Sequence, residues 1–185
     1  YVVPGENIAT IGVGINLNAS PDNLNAVLQA LGFDLNGTQL SGTAWTAEQY
    51  YIQQIRNAVA TTYSDNSAVQ TALDTIMQNR AADSRYSSSF SRRTTFQFNN
   101  ETESKSAFDA IITRYEDRVN SKLGYIMPES KERAALVSLS YNTKTGQTDL
   151  LGSKLIAAIA SDNRAEALFE IRYNSNKNGI HANRR

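Results

Sequence analysis

Glu6, Thr10 and Asn16 bring a carboxyl, a hydroxyl and an amide together near the start of the chain, at spacings of four and six residues. Of these, the carboxyl is the group that hydrolysis of a glycosidic bond needs. One carboxylic acid protonates the leaving oxygen, and a second group positions water or stabilises the developing cation. Other chemistries have less to draw on. The chain has no cysteine, which excludes disulfides and thiolate metal sites, and its one histidine, His181, lies in a polar tail running from Asn174 to Arg185. A histidine-rich zinc site is therefore excluded, only carboxylates could hold a hard cation, and neither metal nor cofactor is expected. Serines are abundant, but none stands in the G-x-S-x-G turn that exposes a nucleophile. What remains is the set of 18 carboxylates. Taken alone, Glu6 after Pro4-Gly5 reads as the exposed carboxylate of a turn.

The element that positions these groups is Thr10-Ile11-Gly12-Val13-Gly14-Ile15-Asn16-Leu17. Ile11, Val13, Ile15 and Leu17 recur at period two, which predicts a short strand or hairpin arm with those four on one face. Gly12 and Gly14 fall between them and leave the other face almost bare, so a backbone or a ligand can approach closely. Thr10 and Asn16 bracket that stretch, which is expected to wall an open furrow. A phosphate cradle is set aside. The dinucleotide fingerprint needs a third glycine and a following helix, whereas Leu17 holds that position and Asn18 to Pro21 is turn-like.

The remaining pattern is helical. Ser20-Pro21-Asp22 reads as a capped start, Leu24, Val27, Leu28 and Leu31 follow helical spacing, and Gly32 stops the run. A second helix is expected from Thr46, carrying Tyr50, Tyr51, Ile55, Val59 and Tyr63, and a third carries Val69, Leu73, Ile76 and Met77. Residues 81–95 read as an exposed Ser- and Arg-rich loop, and Thr94 to Phe98 as a short strand. Asn100 caps a long helix striped by Ala107, Phe108, Ile111, Ile112, Tyr115, Val119 and Leu123 and ended by Gly124. A helix from Pro128 through Ala134, Ala135, Leu136, Leu139 and Ser140 is expected to be the central buried one. Two shorter helices follow at 150–159 and 164–171. The expected fold class is α+β, mostly helical with a small N-terminal β-hairpin, in a single domain over residues 1–185.

At 185 residues the chain can bury a substantial core. Its 18 basic and 18 acidic side chains cancel, which argues against nucleic acid as a partner, since phosphate neutralisation needs a basic excess. No apolar run approaches the ~20 residues that cross a bilayer, and no signal-peptide pattern is present. The first residue is Tyr1, not Met, and the chain is expected to be an N-terminally incomplete fragment of a larger protein.

Three segments, in order, resemble the phage-type lysozymes, particularly the pesticin-like muramidase domains of bacterial toxins. They are Tyr1-Val2-Val3-Pro4-Gly5 with Thr10-Ile11-Gly12-Val13-Gly14; then Arg133 to Asn142; then Ala165 to Arg172 with Tyr173, Asn174 and the closing Arg184-Arg185. The resemblance covers nearly the whole chain and implies a lysozyme-like fold. It also implies muramidase activity on the glycan strands of peptidoglycan, by carboxylate general-acid catalysis with inversion. Thr10 matches the threonine that helps position the attacking water. Asn16 matches a position that is Asp in many toxin-type relatives, and an amide cannot take a proton at neutral pH. The family's acid lies upstream of the position matching Tyr1, which leaves Glu6 as the candidate within the chain; its pKa would have to be raised by burial.

For substrate binding the resemblance implies Gly12, Gly14, Tyr141, Asn142, Arg172 and Tyr173. A Tyr face stacks on a sugar and an Asn amide grips an acetamido group. Tyr141 reads equally as a core aromatic, and Arg172 as the ion-pair partner of Glu166 or Glu170. The implied setting is a monomeric antibacterial toxin or type VI secretion effector, secreted or delivered into the target-cell periplasm, with an immunity protein as partner. Zero net charge suits a domain carried close to its wall substrate rather than one drawn there by long-range attraction. The competing readings are a module that grips glycan without cutting it and a helical interaction domain.

Overall fold

The computed structural model describes residues 2–3, 8–12, 14–63, 65–142 and 150–174. Glu6, the Pro4-Gly5 turn, Val13, Ser64 and the tail with His181, Arg184 and Arg185 lie outside the described residues. The layout is mostly helical with a small antiparallel sheet at the N-terminus, as the α+β expectation has it. Strands β1 (Val2–Val3), β2 (Ile8–Ile11) and β3 (Ile15–Asn16) pair in that order. Helices α1 (Pro21–Ala30), α2 (Gly42–Ala60), α3 (Asn66–Ala82), α4 (Glu101–Leu123), α5 (Lys131–Asn142), α6 (Ser153–Ala160) and α7 (Arg164–Phe169) follow, and a π-helical turn, Glu170–Asn174, extends the last. The chain divides into two compact units, Tyr1–Ile111 and Ile112–Arg185.

In the first unit local chemistry sets the helix ends. The Ser20 hydroxyl accepts from the Asn23 amide at 3.2 Å, Pro21 opens α1, and Gly32 takes φ +83° just past its end. Asp65 caps α3 by accepting from the Ala68 amide at 2.9 Å. Asn100 and Glu103 form a reciprocal cap on α4, in which the Glu103 amide donates to Asn100 Oδ1 at 3.0 Å and Glu103 Oε2 accepts from the Asn99 amide at 2.8 Å. Val27 and Leu28 of α1, Ile52 and Ile55 of α2, and Val69, Leu73 and Met77 of α3 supply the unit's buried apolar interior. In the second unit Val119 of α4, Leu136 and Val137 of α5, and Leu155 and Ala158 of α6 are buried.

Several expectations are corrected. Ile11 and Ile15, expected along one face of a single arm, lie on two paired arms, β2 and β3. α2 begins at Gly42, four residues before Thr46, with the Trp45 amide donating to the Ser41 carbonyl at 3.3 Å. Tyr63 falls outside it. The 94–98 segment forms no strand, because the Phe96 amide donates instead to Asp74 Oδ1 of α3 at 2.7 Å. α5 begins at Lys131, not Pro128, and is buried on one side only: Leu136, Val137 and Ser140 face inward while Ala134 and Ala135 are exposed. Small residues permit burial without requiring it.

Candidate functional site

Ile11 pairs with Ile15 and Thr10 with Asn16, so the register sets the hydroxyl and the amide directly opposite one another. Only three residues connect the strands, and both glycines take left-handed conformations, Gly12 at φ +59° and Gly14 at φ +91°. The glycines are thus explained first by the turn and only then by space. They differ in that space. A Cβ on Gly12 would sit 2.9 Å from a ring carbon of Phe98, whereas a Cβ on Gly14 would meet nothing within 4 Å among the described residues. The side expected to be bare is therefore closed at Gly12 and open at Gly14.

A cleft of about 510 Å³ runs along the hairpin, walled on one side by Ala9 to Gly12, Gly14 and Leu17. The other side is Val69, Gln70 and Leu73 of α3 with Phe96 and Gln97. Leu17, Leu73 and Phe96 give it an apolar floor, and Thr10, Gln70 and Gln97 are its polar side chains. Thr10 is 9% exposed. Gln70 is oriented by donating to Asp74 Oδ1 at 2.9 Å, the same oxygen that holds the Phe96 amide. Among the described lining residues none is a carboxylate. An acid for the cleft would have to come from elsewhere, and Glu6 lies outside the described residues.

Asn16 does not line the cleft. Its Oδ1 accepts from the Asn18 amide at 2.8 Å, and its carbonyl accepts from Asn23 Nδ2 at 2.9 Å, so it fastens the hairpin to α1. Tyr141 and Asn142 close α5 in the second unit. Tyr141 is half-buried with its ring 5.2 Å from that of Tyr115 in an edge-on contact, and the Asn142 amide donates to the Ser138 carbonyl at 2.7 Å. Arg172 and Tyr173 lie in the π-helical turn, both exposed, with the guanidinium carbon 5.6 Å from the Tyr173 ring centre. Phe169 packs on the same ring at 4.9 Å. The structure therefore brings Thr10, Gly12 and Gly14 to one cleft, and leaves Asn16 beside it with its acceptor occupied. Sequence reasoning missed Gln70, Gln97 and Phe96. The alternation that suggested a strand at 94–98 was the trace of Phe96 turning inward.

Sequence reasoning also missed the most buried polar cluster of the first unit. Glu48 of α2 and Arg80 of α3 are fully buried. Arg80 Nε donates to Glu48 Oε2 at 2.7 Å and Nη2 to Oε1 at 2.8 Å, while the Tyr86 hydroxyl donates to Oε2 at 2.6 Å and the Asp34 amide to Oε1 at 2.9 Å. The guanidinium lies 3.9 Å over the Phe33 ring. Burial, reinforced by the Glu48 carboxylate, pushes the Tyr86 hydroxyl well above the usual phenol range. Asp34 is buried too, which raises its pKa, but amide donation from Gln39, Leu40 and Thr38 more than offsets this and leaves the carboxyl below its ordinary value. These acceptors are saturated by the fold and offer nothing to a substrate.

Among the described residues there is no group of three or more side chains able to hold a metal ion, and no helix long and apolar enough to cross a membrane. Compared with known protein families, with curated proteins and with solved structures, the chain matches none.

Proposed function

We propose that the chain is a lysozyme-like muramidase domain that cleaves the glycan strands of peptidoglycan at the hairpin cleft. The observation that carries this reading is Thr10, a largely buried hydroxyl on the wall of an elongated cleft with an apolar floor and amide side chains opposite. In single-displacement hydrolysis an acid protonates the leaving oxygen while a water is held on the opposite sugar face. Thr10 supplies the hydroxyl that orients this water, Gln70 and Gln97 supply hydrogen bonds to sugar groups, and the open flank at Gly14 admits the strand. Glu6, four residues ahead of Thr10, is the acid candidate within the chain. The biological setting in this reading is delivery to the periplasm as a toxin domain, with an immunity protein as its natural inhibitor.

A second reading, glycan binding without cleavage, is favoured by Asn16. It carries an amide, and its oxygen is committed to the Asn18 amide. One experiment separates the two. Purified cell walls should lose turbidity and release new reducing ends, and Thr10→Ala should slow this by about 100-fold, the scale set by losing a group that handles the reacting water. Retention of sugar binding with no product would select the binding module. Equal rates for Thr10→Ala and the parent would remove Thr10 from the mechanism.

A further inference from the structure

On the α2–α3 pair, a second cavity of about 460 Å³ is lined by Tyr50, Gln54, Ile76, Asn79, Ala82 and Ser84, with Tyr51 and Asp83 at its base. The Tyr50 ring is half exposed and is held edge-on against Tyr51, ring centres 5.2 Å apart. Tyr51 is in turn fixed by donating to Asp83 Oδ2 at 2.9 Å and to the Asn79 carbonyl at 3.2 Å. Asp83 is filled from the other side by Arg85, whose Nη2 donates at 2.6 Å and whose Nε at 3.0 Å. Asp83, the one charged side chain among the cavity's described lining residues, is therefore neutralised. By contrast, the side chains of Gln54, Asn79 and Ser84 have no hydrogen-bond partner among the described residues.

We infer that this cavity is an accessory saccharide-binding site, in which Tyr50 stacks on a sugar ring while Gln54, Asn79 and Ser84 bond its neutral polar groups. The chemistry selects the ligand class. A neutralised carboxylate offers no handle to a phosphate or a cation. Two amides and a hydroxyl, each able to donate and accept, match a ligand dense in hydroxyl and amide groups. An exposed aromatic face suits the apolar side of a pyranose, and Ile76 with Ala82 suits a methyl group such as that of an acetamido substituent. The Tyr51–Asp83–Arg85 chain holds the base rigid, which lowers the ordering cost of binding. The choice of an amino sugar rests on the peptidoglycan reading; the site itself does not.

The probe is a trimer of N-acetylglucosamine, titrated by NMR into the chain and into its Thr10→Ala variant. The expected result is saturable shifts on α2 and α3 with the same affinity in both. Tyr50→Ala and Asn79→Ala should each weaken binding about 10-fold, in line with loss of one stacking or hydrogen-bonding anchor, and Tyr50→Phe should bind like the parent. Because Tyr50 and Asn79 are exposed, thermal unfolding should be unchanged in all three. Absence of saturable shifts, or binding indifferent to both Tyr50→Ala and Asn79→Ala, overturns the site. Tyr50-dependent binding in a chain that hydrolyses no wall sustains the site while the muramidase reading falls, and hydrolysis without such binding does the reverse.

Discussion

Thr10 on the hairpin and Glu48 on α2 are both polar side chains with less than a tenth of their surface exposed, at 9% and 0%. They sit in opposite circumstances. Glu48 accepts from Arg80, Tyr86 and the Asp34 amide and has no capacity left over. Thr10 borders a cleft of about 510 Å³ whose other polar side chains, Gln70 and Gln97, also face space. Burial alone therefore does not tell a side chain that borders open space from one enclosed by the fold; what packs beside it does. Carboxylates drew attention in the sequence as chemistry, yet Glu48, the most buried of those described, is the one the fold consumes most completely.

The largest effect expected from breaking this contrast is in the interior. Arg80→Met leaves a buried carboxylate without its counter-ion and should cost about 3–5 kcal/mol in urea unfolding. Pairing it with Glu48→Met should recover much of that loss, because two apolar side chains need no compensation. If the single variant unfolded like the parent, the Glu48 cluster would not be the anchor described above. Thr10→Ala should cost less than Arg80→Met, because it leaves no unpaired charge in the interior.

The hairpin glycines give an intermediate effect. Gly12→Ala incurs both a left-handed backbone and an overlap with Phe98, and should cost about 2–3 kcal/mol. Gly14→Ala incurs the backbone term alone, about 1–2 kcal/mol. Thermal unfolding of the two variants checks the order. Equal losses would mean that Phe98 moves aside without cost and that the hairpin is not closed on that side.

The smallest effect is in acid. Asp34, Asp83 and Glu103 all have carboxyls held below their ordinary values, the first by backbone amides that outweigh burial, the other two chiefly by Arg85 and Arg93. Their unfolded forms take up protons first as pH falls, so their contribution is full above about pH 4 and fades below it. Tyr86 works in the other direction: its raised pKa contributes below about pH 10 and is lost as pH rises further. Urea midpoints followed from pH 6 to 2 should decline in the parent and less steeply in Asp34→Asn. A parallel decline would assign the loss to the other carboxylates.

The sequence by itself determined the elements whose causes are local. Ser20 with Pro21, Asn100 as a cap, and Gly32 and Gly124 just past their helices can be read off because capping and left-handed glycine depend on a few neighbouring residues. Thr10, Gly12 and Gly14 could likewise be singled out as a group. That Gly12 and Gly14 form a turn instead of a bare strand face could not, since period-two alternation is shared by a strand and by the two arms of a tight hairpin. Only the tertiary structure decided that Phe98 covers Gly12, that Gln70 and Gln97 line one cleft with Thr10, and that Glu48 meets Arg80 across 32 residues. Each of these depends on which helix faces reach the same space. No periodicity within one segment records the chemistry of the segment that packs against it.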